Sequence, residues 1–228
     1  MNATSRIFWF LAIFTILMPS AILAQAPVGT VRKIYCAGPL FNQMELEEMA
    51  KIAAVLEESG FKVFLPQRDG MEMIKLIPAF AAAGVPEVKA KAIIDKAIFS
   101  LDVFQVLDSD GLVLNMNGRV PDDGALVEAG IAWQAGKAIV IYKNDARTLI
   151  DGNDNPLISG LSDFDKVDRI EAIPAEFHRK FQANMPVSPV PPVRASEVIV
   201  KGRQIHEMLL ARASMEVIVQ TLIRLLDD

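Results

Sequence analysis

The sequence predicts an α/β protein, a doubly wound parallel sheet with helices on both faces, followed by a C-terminal helical extension. Short apolar segments alternate with segments of helical pattern, which is the order that βαβ units produce. The apolar segments are nearly continuous runs, as in strands that are buried on both faces. The predicted strands are "KIYCAG" (33–38), "FKVFLP" (61–66), "GLVLNM" (111–116) and "AIVIYK" (138–143).

The segments between these strands carry helix signals. Apolar residues recur at helical spacing after Asn42, a suitable N-cap, and stop at Gly60. Residues 71–107 are mostly helical in pattern with an interruption around 83–86, and "ALVEAGIAWQAGK" predicts a helix that ends near Gly136. In doubly wound sheets ligands bind at the carboxyl ends of the strands, so we expect the site just after residues 38, 66 and 116.

The chain is expected to have four parts. Residues 1–26 form an export segment, 27–184 the α/β domain, 185–196 a proline-rich linker and 197–228 a helical tail. Residues 144–165 form a turn-rich loop long enough to suspect a functional role. The apolar side of the tail helix is expected to pack on the domain or on a second subunit.

The N-terminus has the layout of a secretory signal peptide. Arg6 precedes the apolar run "IFWFLAIFTILM", Pro19 interrupts it, and Ala24 and Ala26 supply small residues at positions −3 and −1. We expect cleavage after Ala26 and an exported, periplasmic or secreted, mature protein. An uncleaved membrane anchor is the alternative, because residues 7–24 approach the minimum length of a membrane span.

Composition excludes several classes of function. The formal net charge of −5 argues against a nucleic-acid surface, which would carry a basic patch. Cys36 is the only cysteine, so no intrachain disulfide can form. The two histidines, His178 and His206, lie far apart in sequence, and no metal cluster is predicted.

Three carboxylates lie in the segments around the third predicted strand, close to where a ligand is expected. Asp102 lies toward the end of the helix before the third strand, Asp122 lies in the loop after that strand, and Glu128 lies in the first turns of the next helix. Gly124 lets the backbone turn closely between the last two. The helix dipole and free amides are expected to keep Glu128 ionised, as a nucleophile requires. A desolvated, protonated Asp102 would supply the acid, and such a pair can break a glycosidic bond with retention.

A purely structural interpretation of the same stretch is open on the sequence alone. "DDG" before a helix is often a turn and an N-cap, and an early glutamate often only complements the helix dipole. Asp102 alone would most often be a solvated helix position.

Four segments that follow one another in a fixed order along the chain favour the catalytic interpretation over the purely structural one. They are "IYCAGPLF", "FLPQRDG", Asp102 eight residues before Asp110, and "PDDGALVEAGIAWQAGK". Together they resemble the nucleoside 2-deoxyribosyltransferase family over about residues 33–163. The resemblance implies a flavodoxin-like fold, a homo-oligomer whose sites are completed by a neighbouring subunit, and no metal or cofactor. It also implies deoxynucleosides and free nucleobases as substrates, with transfer through a covalent sugar–glutamate intermediate.

The resemblance also implies roles for individual residues. Glu128 matches the nucleophile, Asp122 the aspartate that binds the deoxyribose hydroxyls, and Asp102 the aspartate that handles proton transfer at the base. Tyr35 matches the tyrosine that orients the nucleophile, although an ordinary core tyrosine is the alternative.

The remaining matches concern binding. Gly38 and Pro39 form the tight exit of the first strand. Phe41 is a candidate for stacking on the base, with an apolar contact to the next helix as the alternative. Gln67 and Arg68 match the polar pair that the family places against the base. Asn155 matches the asparagine that the family donates across the subunit interface. For each of the three, an ordinary turn residue is the alternative.

The chain departs from the family in three ways. The family usually has Gly-Thr where this chain has Gly124-Ala125, so one hydroxyl is missing. The segment 69–100 is longer than in compact members, which can reshape the base pocket. The export signal is unusual for deoxynucleoside exchange and suggests an exported role or nucleoside hydrolysis outside the cytoplasm.

Two other functions are considered. A deoxynucleoside 5'-monophosphate N-glycosidase would need a phosphate cradle, for which the sequence offers only Ser109 and Arg119. An exported, non-catalytic flavodoxin-like binding module is the second alternative, because a fold does not fix a function.

Overall fold

A computed structural model describes residues 31–118, 120–145, 153–183 and 193–226. Its centre is a sheet of parallel strands in the order β2-β1-β3-β4. The strands are β1 (Lys33–Ala37), β2 (Lys62–Phe64), β3 (Gly111–Asn115) and β4 (Ala138–Tyr142). Each lies within one of the four runs named from the sequence, so the α/β prediction is confirmed.

Helices cover both faces of the sheet. In the described residues they are α1 (Gln43–Glu58), α2 (Pro66–Asp69), α3 (Met73–Ala82), α4 (Glu87–Asp108), α5 (Asp123–Gln134), α6 (Pro156–Ser159), α7 (Ile173–Gln182), α8 (Val193–Leu210) and α9 (Met215–Leu226). Because successive strand side chains point to opposite faces, Tyr35 and Leu112 face α3, α4, α5 and α9, whereas Ile34 and Val113 face α1 and α7.

The strand order fixes where a ligand can bind. From β1 the chain crosses to β2 on one side and then to β3 on the other, which is the flavodoxin-like order. The switch point therefore lies at the carboxyl ends of β1 and β3. Gly38, Asn115 and the loop that leads to Asp122 lie at this edge.

The C-terminal helices belong to the core of the domain. Ile205 of α8 and Leu222 of α9 are fully buried in the same cluster as the α4 side chains Ile94 and Leu101. At Gly202, an added Cβ would lie 2.0 Å from the carbonyl oxygen of Ser100, so α8 approaches α4 backbone to backbone. The expectation that the apolar side of the tail packs on the domain matches this arrangement.

The expected division of the chain into four parts agrees with the structure only in part. Helix α8 begins at Val193, so the last residues of the segment 185–196 are helical rather than part of an extended linker. Residues 184–192 and the whole of 1–26 lie outside the described residues, so cleavage after Ala26 stays a prediction. Within the described ranges, no helix is both long enough and apolar enough to cross a membrane.

Helix α7 was not assigned from the sequence, yet it completes the second face of the sheet. Ile173 and Phe177 are fully buried, and Phe177 stacks on Phe181 with ring centroids 5.8 Å apart. Ile173, Phe177 and Phe181 recur every four residues among polar ones, so α7 has an amphipathic pattern that the sequence already shows.

Candidate active site

The centre of the candidate site is a hydrogen bond between a strand and a helix. The hydroxyl of Tyr35, on β1, donates to Oε1 of Glu128, on α5, at 2.6 Å. Tyr35 is fully buried, and its ring stacks on Phe64 with centroids 5.5 Å apart. Burial, followed by the nearby charge of Glu128, raises the pKa of Tyr35 well above its ordinary value, so this hydroxyl stays a donor.

Glu128 does not obtain its charge state from the start of its helix, and this corrects the expectation from sequence. It lies in the second turn of α5, beyond the first-turn amides where the dipole acts most strongly. Burial raises its pKa to about 8, the Tyr35 hydrogen bond opposes that rise, and the charges of Asp102 and Asp122 add to it. The phenol, rather than the helix dipole, is the group that favours the Glu128 anion.

Asp102 is held close to this pair by α4, which packs beside α5. Burial raises its pKa to about 7, and its charge acts on both Tyr35 and Glu128. The structure therefore brings two carboxyls together in a poorly solvated place, and one of them can hold a proton near neutral pH.

Asp122 is the N-cap of α5. Its Oδ1 accepts a hydrogen bond from the backbone amide of Ala125 at 2.6 Å. A Cβ at Gly124 would lie 3.3 Å from the same oxygen, so a larger residue there would crowd the cap. Asp122 thus does what the structural interpretation expected, and it also lies close enough for its charge to raise the pKa of Glu128.

The exit of β1 is packed too tightly for any side chain at Gly38. A Cβ there would lie 2.6 Å from Sδ of Met49 and 2.8 Å from Cβ of Asn115. Pro39 follows and is buried. These two residues bring α1 close to the carboxyl edge of the sheet, next to β3.

A cavity of about 710 Å³ opens beside Asp102. Its walls come from the first turns of α1, from α2 and the loop after it, and from α4. The lining residues are Leu40, Gln43, Leu46, Glu47, Ala50, Pro66, Gln67, Gly70, Met71, Glu72, Ile98 and Asp102. Two of the predicted site residues, Gln67 and Asp102, therefore face one space that is large enough for a nucleobase.

Three predicted binding residues lie elsewhere in the described structure. Phe41 is 82% exposed and does not line the cavity. The Arg68 guanidinium pairs with Asp69 and Glu57, which commits its charge to other side chains. Asn155 is exposed and caps α6 by accepting from the amide of Leu157 at 3.0 Å. Their roles toward a substrate stay predictions.

The segment that carries Asn155 is anchored by a buried ion pair. Lys143, just after β4, pairs with Asp154, and both side chains are at most 5% exposed. Asp154 also pairs with Lys166 at 2.8 Å, and these contacts together lower its pKa against the effect of burial. Asn155 therefore directly follows a residue, Asp154, whose side chain is held in place by ion pairs.

Sequence reasoning missed most of the cavity wall. Gln43, Leu46, Glu47 and Ala50 line the cavity from α1 at helical spacing. This periodicity could have been found, because it forms a face distinct from the buried side of α1. Glu48, on the next face, accepts hydrogen bonds from Asn115 and Asn117 and links α1 to β3. Among the residues described, no group of three or more His, Cys, Asp or Glu is placed to hold a metal ion.

The Tyr35–Glu128 bond leads to a prediction for Tyr35→Phe. Without the hydroxyl, the Glu128 anion loses a charge-assisted hydrogen bond, so the rate at pH 7 should fall about ten- to a hundredfold. The basic limb of the pH–rate profile should move to higher pH, because the pKa of Glu128, the higher of the two carboxyl values, rises further. A core tyrosine with a packing role alone would leave the shape of that profile unchanged.

Comparison with known proteins decides the family. A family model described as nucleoside 2-deoxyribosyltransferase matches residues 34–202. The chain belongs to the nucleoside 2-deoxyribosyltransferase family. The match covers every strand, α1 to α7 and the first half of α8. Membership identifies the chain as a glycosyl-transfer enzyme that acts on nucleosides.

Solved structures similar to the chain include two described as 2-deoxyribosyltransferases. A conserved protein from Enterococcus faecalis V583 is 24% identical, with a TM-score of 0.49 over 66% of this chain and 99% of that one. A 2-deoxyribosyltransferase from Bacillus psychrosaccharolyticus is 22% identical, with a TM-score of 0.45 over 70% and 99%. One from Leishmania mexicana is 16% identical, with a TM-score of 0.39 over 67% and 99%. A search of curated sequences found no match.

Proposed function

We propose that the protein transfers a 2-deoxyribosyl group between nucleobases, or to water, through a covalent sugar–Glu128 intermediate. The observation that carries the proposal is the short hydrogen bond from Tyr35 to Glu128, with Asp102 beside both groups. The phenol aims one carboxylate oxygen and stabilises its charge. A second carboxyl that holds a proton next to it completes the pair that retaining glycosyl transfer requires.

The chemistry runs in two balanced steps. The Glu128 carboxylate attacks C1' of the sugar, the C1'–N bond breaks, and its electron pair stays on the base nitrogen. Asp102 donates its proton to the base, which leaves neutral. An incoming base then attacks C1' with a ring nitrogen, the ester to Glu128 breaks, and Asp102 takes back a proton. Water in place of the second base gives hydrolysis.

The two raised pKa values predict a bell-shaped pH profile. The reaction needs one proton on the carboxyl pair, with Glu128 ionised and Asp102 protonated. With values of about 7 for Asp102 and about 8 for Glu128, the pair holds one proton between these two pH values. Because Glu128 has the higher pKa, that proton rests mostly on Glu128, and the reactive form is the smaller part of the one-proton state. The rate should peak between the two values, fall at lower pH as the pair takes up a second proton, and fall at higher pH as it loses its last one. A rate that is flat from pH 5 to 10 would contradict this assignment.

Base exchange tests the proposal directly. Purified protein is incubated with deoxyinosine and adenine, and the products are separated by chromatography. Deoxyadenosine and hypoxanthine are expected, or deoxyribose and hypoxanthine if water is the acceptor. Neither exchange nor release of free base from any deoxynucleoside would overturn the proposal.

The monophosphate glycosidase receives no support from the described residues. Ser109 is buried at the amino end of β3, and its hydroxyl donates to the carbonyl of Gln105 at 2.7 Å. It therefore lies at the opposite edge of the sheet from Asp122, and Arg119 lies outside the described residues. Carboxylates, including Glu47 and Glu72, line the cavity beside Asp102, which opposes binding of a phosphate there.

Export and self-association are further parts of the proposal. Residues 1–26 direct the protein out of the cytoplasm and are removed after Ala26, with an uncleaved anchor as the alternative. The mature chain forms a homo-oligomer in which the exposed Asn155 faces a neighbouring site. The N-terminal mass of the exported protein and its mass in solution test these statements, and a full-length monomer would contradict both.

A further inference from the structure

The carboxylate of Glu48, on α1, accepts hydrogen bonds from two strands and a loop. Its Oε2 accepts from Nδ2 of Asn115, at the end of β3, at 2.8 Å. Its Oε1 accepts from Nδ2 of Asn117 at 2.9 Å and from the hydroxyl of Tyr142, at the end of β4, at 3.3 Å. Asn115, Asn117 and Tyr142 are each at most 9% exposed, so these bonds offset the cost of burying three polar groups.

The two asparagine amides of this network cannot turn over. Oδ1 of Asn115 accepts from the backbone N–H of Asn117 at 2.9 Å, and Oδ1 of Asn117 accepts from the backbone N–H of Asn144 at 3.0 Å. A backbone N–H can only donate, so each amide directs its oxygen toward the backbone and its nitrogen toward Glu48. The side chain at position 48 must therefore offer an acceptor to each of them, which a carboxylate does and a neutral amide does not.

The network lies where α1 approaches the carboxyl edge of the sheet closely. A Cβ at Gly38 would lie 2.6 Å from Sδ of Met49, the residue after Glu48, and 2.8 Å from Cβ of Asn115. Glu48 thus adds polar bonds beside a contact that is already tight. Other residues of α1 line the cavity beside Asp102, so the position of α1 relative to β3 sets the position of one wall of that cavity.

The same network fixes the start of the loop that ends at Asp122. Beyond Asn117, the backbone N–H of Gly118 donates to Oδ2 of Asp145 at 3.1 Å. Four positions later Asp122 caps α5 through its bond to the amide of Ala125. A segment of four residues spans at most about 14 Å and has few alternative paths, so a shift at Gly118 displaces the residues next to Asp122.

We propose that Glu48 is a positioning residue for the deoxynucleoside site. Through Asn115 and Asn117 it sets the spacing between the α1 wall of the cavity and the loop that leads to Asp122, so that a base in the cavity and a sugar at Asp122 are bound together. This inference rests on the proposed function for the identity of the ligand. Among the hydrogen bonds of the described residues, none joins Glu48 to the catalytic carboxyls, so its loss should change binding rather than proton transfer.

Exchanging donor and acceptor across the Glu48–Asn115 bond tests the network without changing its shape. In Glu48→Gln two NH₂ groups face each other, and in Asn115→Asp two carboxylates do. In the double variant the glutamine nitrogen donates to the new carboxylate, whose other oxygen still accepts from the N–H of Asn117. The glutamine oxygen still accepts from Asn117 and Tyr142. Each single substitution should therefore break the network, and the pair should restore it.

The affinity for deoxyinosine, measured by calorimetry, is the primary readout. Every chain in this experiment carries Glu128→Gln, so that no sugar is transferred during the titration. Adding Glu48→Gln or Asn115→Asp should weaken binding about tenfold, and adding both should return the affinity to within about threefold of the reference. Affinities within twofold in all four chains, or weak binding that the double variant does not restore, would overturn the proposal. A reference chain that does not bind deoxyinosine would overturn it as well.

Glu45→Gln is the matched control, because it removes the same charge one turn earlier on α1. Oε2 of Glu45 accepts from the backbone N–H of Phe41 at 2.8 Å, and an amide oxygen can still accept this bond. Its affinity should stay within twofold of the reference. Thermal melting of the same chains isolates the effect on stability. A lower melting temperature for Glu48→Gln with unchanged affinity would show that Glu48 supports only the fold, and would contradict the positioning role.

Turnover distinguishes this inference from the proposed function. In chains that keep Glu128, Glu48→Gln should raise the KM for deoxyinosine about tenfold while kcat changes less than about threefold. The predicted pattern of affinities, without turnover of any deoxynucleoside by the wild type, would support the role of Glu48 and overturn the transferase proposal. Turnover by the wild type with a KM that Glu48→Gln leaves unchanged would do the reverse.

Discussion

Glu128→Gln is expected to reduce base exchange at least about a thousandfold, because an uncharged amide cannot form the sugar ester. Glutamine has the same shape, and its amide oxygen still accepts the hydrogen bond that Tyr35 donates to Glu128 at 2.6 Å. Loss of activity would therefore reflect loss of the nucleophile rather than loss of the fold. The initial rate of deoxyadenosine formation, with deoxyinosine and adenine in excess, measures the effect.

The same substitution is expected to stabilise the protein at pH 8. The folded protein raises the pKa of Glu128 from 4.5 to about 8, so deprotonation disfavours folding as pH rises between these values. Glutamine cannot ionise, and the variant should gain on the order of 2 kcal/mol in the free energy of unfolding at pH 8. The gain should vanish near pH 4, where the carboxyl is protonated in both states.

Asp123→Asn is the matched control for both measurements. Asp123 lies in the first turn of the same helix but is exposed, and its carboxylate accepts only the amide of Gly124 among the bonds of the described residues. Its activity and its melting temperature at pH 8 should stay close to those of the wild type. A Glu128→Gln variant that keeps more than a tenth of the activity would refute the assigned nucleophile.

Gly202→Ala is expected to lower the free energy of unfolding by about 3 kcal/mol, because the new methyl group overpacks a helix contact. Its Cβ would lie 2.0 Å from the Ser100 carbonyl oxygen and 2.5 Å from Cβ of Phe104. Backbone cannot turn aside as a flexible side chain can, so α8 must move away from α4. Urea denaturation followed by circular dichroism would measure the change.

Gly130→Ala supplies the matched comparison within another helix. A Cβ at Gly130 on α5 meets no atom within 4 Å, so alanine should be neutral or stabilise by about 0.5–1 kcal/mol through its better helix propensity. Equal effects of the two substitutions would show that α8 is not docked on α4 as described.

The parts of the fold that could be predicted from the sequence are the strands that are buried along their whole length. All five residues of β3 and of β4 are buried, so their apolar runs specify covered strands without ambiguity. Helix α7 could also have been predicted, because Ile173 and Phe177 recur at helical spacing among polar residues. The start of α8 was placed too late, because the prolines before Val193 suggested an extended chain, although proline also fits just before a helix or in its first turn.

The candidate site, like the fold, was predictable from the sequence only in part. Resemblance identified Tyr35, Asp102, Asp122 and Glu128, and three of these interact electrostatically with the fourth in the structure. Their protonation was not predictable, because it depends on how deeply α4 and α5 bury the carboxyls. The cavity beside Asp102 was missed for a related reason, since its walls come from segments distant in sequence that contribute a few residues each.

Trapping the sugar on the enzyme tests the central claim most directly. A deoxynucleoside with fluorine at C2' destabilises the oxocarbenium-like transition state and slows breakdown of the ester, which allows the intermediate to accumulate. Mass spectrometry of the digested protein should then show one fluorinated sugar on the fragment that contains Glu128, and none on Glu128→Gln. Release of base with no labelled fragment, or a label on another residue, would contradict the account.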